Sequence, residues 1–163
     1  MELKAATANE IIAFLEEYNR HFDKLTAFLR EKENKIINDD LIWLNDSLVE
    51  EQKFIMKGNS LEQHRVDMLN RMGIGEIRSE ELLELMPEDK KQQFSAECRR
   101  MEKSVDEIKR LNQSALDLVE RKLQVQSKKL GVSEVGVGVT QVGTYSEKAS
   151  KVKHSVGDII GSV

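Results

Sequence analysis

The sequence has little proline, cysteine or aromatic residue, and it has no long hydrophobic run. One proline, Pro87, in 163 residues leaves room for long helices, because proline breaks a helix interior. Only 5% of the residues are aromatic and 39% are hydrophobic, which is little material for a thick globular core. A single cysteine, Cys98, cannot form an internal disulfide, and this fits a reducing compartment.

Two further absences bear on location and on the class of partner. No apolar run approaches the ~20 residues that a membrane-spanning helix needs, and residues 1–5 lack the apolar stretch of a signal peptide. We therefore expect a cytoplasmic protein without membrane insertion. The formal net charge of −4 gives no general attraction to nucleic acid, so we expect no nucleic acid partner.

What the sequence does contain is charge and helical periodicity. Charged residues make up 33% of the chain, against roughly 25% in an average globular protein. Apolar residues recur in steps of three and four along three stretches, as on one face of an amphipathic helix. The first stretch carries Ile11, Leu15, Tyr18, Phe22, Leu25, Leu29 and Ile36, interrupted by Lys32. The second carries Leu41, Leu44, Leu48 and Ile55, and then, displaced by one residue, Phe54, Leu61, Met68 and Met72. The third carries Phe94, Cys98, Met101, Val105, Ile108, Asn112, Leu116, Val119, Leu123 and Leu130.

Local signals predict where the first two long helices begin and end. A capping-box pattern at residues 7–10 is typical of a helix start. Asn38-Asp39-Asp40 is typical of a turn that caps the helix after it. The displacement in the second stripe brackets residues 57–60, so that helix either bends there or breaks with Ser60 as a new cap; we favour a continuous helix. The glycines of residues 73–75 end it.

A short linking helix is predicted over residues 79–86, with Ser79 as its cap. Pro87 suits the first turn of the third long helix, which Gly131 ends. The fold class predicted is thus all-α: an elongated antiparallel bundle of three long helices with a short linking helix and a flexible C-terminal tail.

Glycine content divides the chain into two parts. Residues 1–130 hold three glycines, whereas residues 131–163 hold six, and glycine lowers helix stability. We therefore predict a helical bundle at 1–130 and a flexible tail at 131–163. Val152, Val156, Ile159 and Ile160 lie at helical spacing in the tail. The tail is either a segment that folds when it binds a partner or a frayed terminus.

No residue pattern predicts catalysis, a metal or a cofactor. Glu17 and His21 are four residues apart on one helix face, but di-iron bundles need two Glu-x-x-His motifs and two further glutamates. We interpret the pair as solvated surface. Cys98 lies within an apolar stripe and is interpreted as a buried thiol. The lone Gly-x-Gly at residues 136–138 lacks the remainder of a phosphate loop or dinucleotide fingerprint.

Two segments resemble the FlgN family of flagellar type III export chaperones. Residues 61–69, Leu-Glu-Gln-His-Arg-Val-Asp-Met-Leu, are similar to the family's Leu-Glu-x-x-Arg-x-x-x-Leu pattern in the second helix. Leu111-Asn112-Gln113 is similar to its Leu-Asn-Gln motif in the last long helix, although Ala115 stands where the family often has a second asparagine. Tyr145, before a glycine-bearing end, also fits the family.

The resemblance implies a chaperone that binds flagellar hook-associated proteins, the subunits of the hook–filament junction. It would prevent their premature assembly and deliver them to the type III export apparatus. By the same resemblance, the third helix and the tail would hold the partner, and Tyr145 would contact the flagellar export gate. The partner-binding residues implied are Leu111, Asn112, Leu116, Val119, Leu123, Leu130, Tyr145, Val152, Val156, Ile159 and Ile160.

Some alternatives remain open from the residues alone. The whole chain could instead be a structural coiled-coil adaptor or an oligomerisation protein, and self-association is possible in either case. Asn112, as a polar residue within an apolar stripe, is more typical of a residue that sets helix register than of a partner contact. Arg65 is expected to form an ion pair with Glu62 or with a residue of a neighbouring helix. Trp43 could widen the core or form an exposed contact.

Overall fold

The computed structural model describes residues 1–130, and every regular element among them is helical. The helices are α1 (Ala5–Ile37), α2 (Leu41–Asp46), α3 (Leu48–Arg71), α4 (Ser79–Leu85) and α5 (Lys91–Leu130), with a 3-10 turn at Glu88–Lys90. The all-helical prediction is confirmed for this part of the chain. The tail predicted at 131–163 lies outside the described residues.

α1 and α5 form the main helix pair, and they run in the same direction. Asn19 on α1 donates from Nδ2 to Glu97 Oε2 on α5 at 2.7 Å. Further along both helices, Arg30 Nη2 donates to Glu107 Oε1 at 3.3 Å. Because the residue numbers rise together, the two helices are parallel.

α3 runs against α1. Glu17 near the start of α1 pairs with Lys57 at 3.1 Å, whereas Lys32 near its end pairs with Glu51 at 2.5 Å. The chain therefore goes up through α1, down through α2 and α3, and up again through α5. α3 is thus antiparallel to α1, whereas the largest interface joins the parallel pair α1 and α5.

The core lies along the apolar stripes that the periodicity predicted. All seven residues of the α1 stripe are at most 6% exposed. On α5 the predicted residues Phe94, Met101, Val105 and Ile108 are at most 2% exposed. Burial of each such side chain contributes about 1.5–3 kcal/mol, so this seam holds the two longest helices together.

The start of α1 differs from the prediction of a capping box. The helix begins at Ala5, with Lys4 in extended conformation before it and without a side-chain cap. The backbone N–H of Leu3 donates to the carbonyl of Leu85 at 2.7 Å. This bond ties the chain to α4 just before the helix, and the alanines at positions 5 and 6 favour an early start because alanine has the highest helix propensity.

The second long helix is interrupted at Ser47, not near Gly58. α3 is continuous through Gly58, as favoured from the sequence. At Ser47 the hydroxyl donates to the carbonyl of Leu44 at 2.8 Å. A serine hydroxyl bonded back to the preceding turn tends to bend a helix, and here it separates α2 from α3.

The predicted turns on either side of this second helix are confirmed. Asp40 Oδ1 accepts the backbone N–H of Trp43 at 3.0 Å and so caps α2. At the other end, the N–H of Gly73 donates to the carbonyl of Asn70, and that of Ile74 to the carbonyl of Leu69, at 2.9 and 3.0 Å. This is a Schellman end, and it uses a positive φ of 73° at Gly73.

The connection to α5 departs slightly from the prediction. Ser79 is the first residue of α4 and not its cap, since Arg78 precedes the helix and donates its N–H to Glu81 Oε2 at 3.3 Å. Pro87 stands before the 3-10 turn and not inside α5. Its fixed φ starts that turn, and α5 follows directly.

Candidate functional site

The first two residues of the predicted partner-binding set are buried inside the molecule. Leu111 and Asn112 are each 1% exposed. Leu111 belongs to the main apolar core. Asn112 Nδ2 has no hydrogen-bond partner within residues 1–130. A partner cannot reach either side chain without opening the bundle, so both are removed from the candidate surface.

The next residues of the set lie at the surface of the C-terminal half of α5. Leu116, Val119 and Leu123 are half-buried, and Leu130 is 76% exposed. Leu116 and Val119 also pack on a small second core around Ile36 and Ala115, which fixes their side of the helix. We call Leu116, Val119, Leu123 and Leu130 the distal α5 surface.

The end of α5 extends past the end of α1. Lys122 Nζ contacts Asp39 Oδ1 at 2.7 Å and the carbonyl of Ile37 at 3.2 Å, at the turn where α1 ends. Lysine side chains on a helix lean towards its N-terminus, so the backbone of Lys122 is already beyond that turn. The last eight residues of α5 therefore have no α1 beside them, which explains the exposure of Leu130.

Three exposed cationic side chains lie in the C-terminal part of α5. Arg121, Lys128 and Lys129 are exposed, and the two lysines stand in the last turn of α5, where the helix dipole favours cations. The distal α5 surface itself is an apolar strip, which suits the apolar face of an amphipathic partner helix.

A second apolar surface was missed by the sequence reasoning. Leu41 and Leu48 were assigned to the core stripe of the second helix, but they are 73% and 37% exposed. The inward positions of α2 are taken instead by Trp43 and Leu44. The ring centroids of Trp43 and Phe28 are 5.7 Å apart. Trp43 is half-buried and therefore widens the core edge.

Three residues that the sequence singled out for other chemistry have structural explanations. His21 is not a solvated residue as interpreted: it is 7% exposed. Burial, with Lys57 and Lys24 nearby, lowers its pKa to about 4. Its sequence partner Glu17 pairs with Lys57 instead. Burial, together with Glu102 and Glu97, raises the pKa of the Cys98 thiol to about 12, so the prediction of a buried thiol is confirmed.

The other predicted contact on α3 is confirmed as well. Arg65 Nη2 and Glu62 Oε1 form an ion pair at 2.8 Å on one face of α3. Within residues 1–130, no three histidine, cysteine, aspartate or glutamate side chains are grouped to hold a metal ion. In the same range, no helix has the length and hydrophobicity to cross a membrane. Tyr145, Val152, Val156, Ile159 and Ile160 lie outside the described residues.

Comparison with known proteins identifies the family. The family model described as FlgN protein matches residues 1–153, which is nearly the whole chain and includes every helix of the structure. No curated protein and no solved structure matches the chain.

Proposed function

Because the chain belongs to the FlgN family, a family of flagellar export chaperones, we propose that it binds hook-associated proteins in the cytosol. In this role it covers the segments that these junction subunits use for assembly. It then delivers the subunits to the type III export apparatus. The family supports the chaperone role in flagellum biogenesis, and the choice of client and the delivery step are our proposal.

The observation that carries the proposal is the distal α5 surface. Its residues stand at positions 116, 119, 123 and 130, which is the three-and-four spacing by which one helix receives another. Leu116 and Val119 are partly covered by the small core around Ile36, whereas Leu123 and Leu130 lie on the part of α5 that extends past the end of α1. An amphipathic client helix can therefore dock there without unfolding the bundle.

The buried parts of the molecule support the same role by keeping the surface fixed. α5 is held against α1 by the fully buried side chains of its N-terminal half, and Lys122 fastens it to the turn after α1. A docking helix that is already ordered loses less entropy on binding than one that must fold first. The buried N-terminal half of α5 thus holds the distal α5 surface in a fixed position.

The tail completes the proposed client site. We propose that Val152, Val156, Ile159 and Ile160 close over the client helix, and that Tyr145 contacts the export gate. The free energy spent in ordering such a segment lowers the affinity for a given contact area. This suits a chaperone, which must release its client at the export apparatus.

Co-purification tests the proposal. The full chain, recovered from the cytosol of motile cells of its own source, should bring hook-associated proteins with it. Removal of residues 131–163 should leave the helical melting transition nearly unchanged and weaken the client complex. Absence of these proteins from the full-chain sample would refute the client proposal. Collapse of the helices on truncation would instead show that the tail is part of the fold.

A structural adaptor is the second candidate function. The exposed apolar residues of α2 and α3 favour it, because they form a further surface that the client site does not use. In that case a constitutive oligomer that ignores junction proteins is expected.

A further inference from the structure

A cleft lies between α1 and α3, and it shares no residue with the proposed client site on α5. Its volume is about 360 Å³, within the roughly 300–1,000 Å³ of small-molecule sites. Four cations, two carboxylates, one histidine and one phenylalanine line it: Arg20, Lys24, Lys53, Lys57, Glu17, Glu50, His21 and Phe54. The cleft is thus large enough for a small ligand and has an excess of positive charge.

The two carboxylates of the cleft are already paired with lysines of α3. Glu17 Oε1 lies 3.1 Å from Lys57 Nζ, and Glu50 Oε2 lies 3.6 Å from Lys53 Nζ. The other two cations, Arg20 and Lys24, form no ion pair within residues 1–130. They are exposed and stand four residues apart on α1, a spacing at which like charges destabilise a helix. An anion bound between them would remove that repulsion.

The inner wall of the cleft is a buried imidazole. His21 is 7% exposed, and its ring nitrogens form no hydrogen bond to any group within residues 1–130. Its ring centroid lies 5.8 Å from that of Phe22 and 6.0 Å from that of Phe54, which fixes the ring in place. A buried polar group without a partner costs free energy. A ligand that accepts a hydrogen bond from the imidazole would recover it.

The charges around His21 favour an anion at this ring. Burial, with Lys57 and Lys24 nearby, lowers the pKa of His21 to about 4. The imidazole is therefore neutral at pH 7 and carries one N–H donor. A bound anion would favour the protonated ring and raise this pKa, so His21 reports whether the cleft is occupied.

We propose that this cleft binds a small phosphate-bearing ligand, with the phosphoryl group held by Arg20, Lys24 and the N–H of His21. A phosphomonoester carries a charge of about −1.5 to −2 at pH 7, which matches the excess of two cations, whereas a carboxylate carries only one negative charge. The planar guanidinium of Arg20 suits phosphate because it donates two parallel hydrogen bonds. The half-buried Phe54 ring offers an apolar wall to the organic part of the ligand.

Titration of inorganic phosphate into the full chain tests the proposal. The imidazole signals are followed by nuclear magnetic resonance at constant ionic strength, and the His21 signal is assigned as the one missing from His21→Phe. Phosphate should shift that signal saturably and raise the pH midpoint of its titration by at least about half a unit. Sodium acetate at the same concentration should cause a much smaller shift. This comparison uses the wild-type chain and depends on no variant.

A pair of double variants locates the site. Arg20→Gln with Lys24→Gln removes both unpaired cations and should weaken phosphate binding by at least about tenfold, because two charge-assisted hydrogen bonds are lost. The matched control is Arg99→Gln with Lys103→Gln on α5, which also removes an exposed arginine and an exposed lysine four residues apart. It changes the net charge equally and should bind phosphate as the wild type does.

A second titration, with glycerol phosphate, separates the two sources of the phosphoryl group. Tighter binding than that of inorganic phosphate would assign the cleft to an organic phosphomonoester, and equal binding would assign it to free phosphate. A His21 signal that phosphate does not shift saturably would overturn the proposal. So would acetate that binds as tightly as phosphate, or an equal loss of affinity in the two double variants.

Discussion

The ion pair between Lys32 and Glu51 is the most consequential polar contact between α1 and α3. Lys32 Nζ lies 2.5 Å from Glu51 Oε1, and the side chains are only 7% and 1% exposed. Both residues occupy positions on apolar stripes where a leucine or isoleucine would be expected. Removal of one member of a buried pair leaves the other charge in a poorly solvated site, which costs about 3–5 kcal/mol.

Glu51→Gln is the perturbation of choice, because glutamine keeps the shape of the side chain and removes its charge. A typical domain has a free energy of unfolding of about 5–15 kcal/mol, so a loss of about 3–5 kcal/mol would be a large part of the total. The urea midpoint of the helical signal in circular dichroism should fall accordingly, with an unchanged denaturant slope. The control is Glu50→Gln, the exposed neighbour, which should change stability by less than about 0.5 kcal/mol.

The double variant Lys32→Met with Glu51→Leu completes the test. It removes both charges and replaces them with apolar groups of similar volume, so its stability should return to that of the wild type or exceed it. A loss of less than about 1 kcal/mol for Glu51→Gln would refute the reasoning. A double variant as unstable as Glu51→Gln would refute it too, because stability would then depend on something other than an uncompensated charge.

Three further outcomes follow from individual residues. Gly73→Ala forces a Cβ into the left-handed region that ends α3 and should lower the free energy of unfolding by about 1–2 kcal/mol, as measured by urea denaturation. The pKa of His21 is lowered from 6.5 to about 4 in the folded state, so the unfolded chain binds more protons between these two pH values. The free energy of unfolding should therefore fall as the pH drops from 6.5 to about 4. The fall should be smaller in His21→Phe. Cys98, with its pKa raised to about 12, should react with a thiol reagent at neutral pH only as fast as the protein opens, and unfolding in urea should speed that reaction.

The sequence predicted the α1 stripe and the first half of α5 well, because a regular spacing in an uninterrupted helix depends only on local geometry. It did not explain Lys32. Its ion-pair partner, Glu51, lies on another helix. A single charged residue in an apolar stripe does not indicate which distant residue forms an ion pair with it. Glu51 stands in the second stripe between Leu48 and Ile55, and that position was the available signal.

The exposed surfaces were harder to predict than the core. Leu41 fits the period of the second helix but is turned outward, because Ser47 interrupts the helix and Trp43 packs on Phe28. Periodicity shows that a helix has an apolar face. It does not show where a neighbouring helix ends, and that is why the same α5 stripe is buried at Ile108 and exposed at Leu130.

Calorimetric titration of a purified hook–filament junction protein into the full chain tests the central claim most directly. The account predicts saturable binding that Leu130→Glu weakens by at least about tenfold, since burial of a leucine side chain contributes about 1.5–3 kcal/mol and each tenfold is 1.4 kcal/mol. Val66→Glu, on α3, should bind as the wild type does. Absence of binding, or equal affinity for the wild type and Leu130→Glu, would contradict the claim that the distal α5 surface holds a flagellar client.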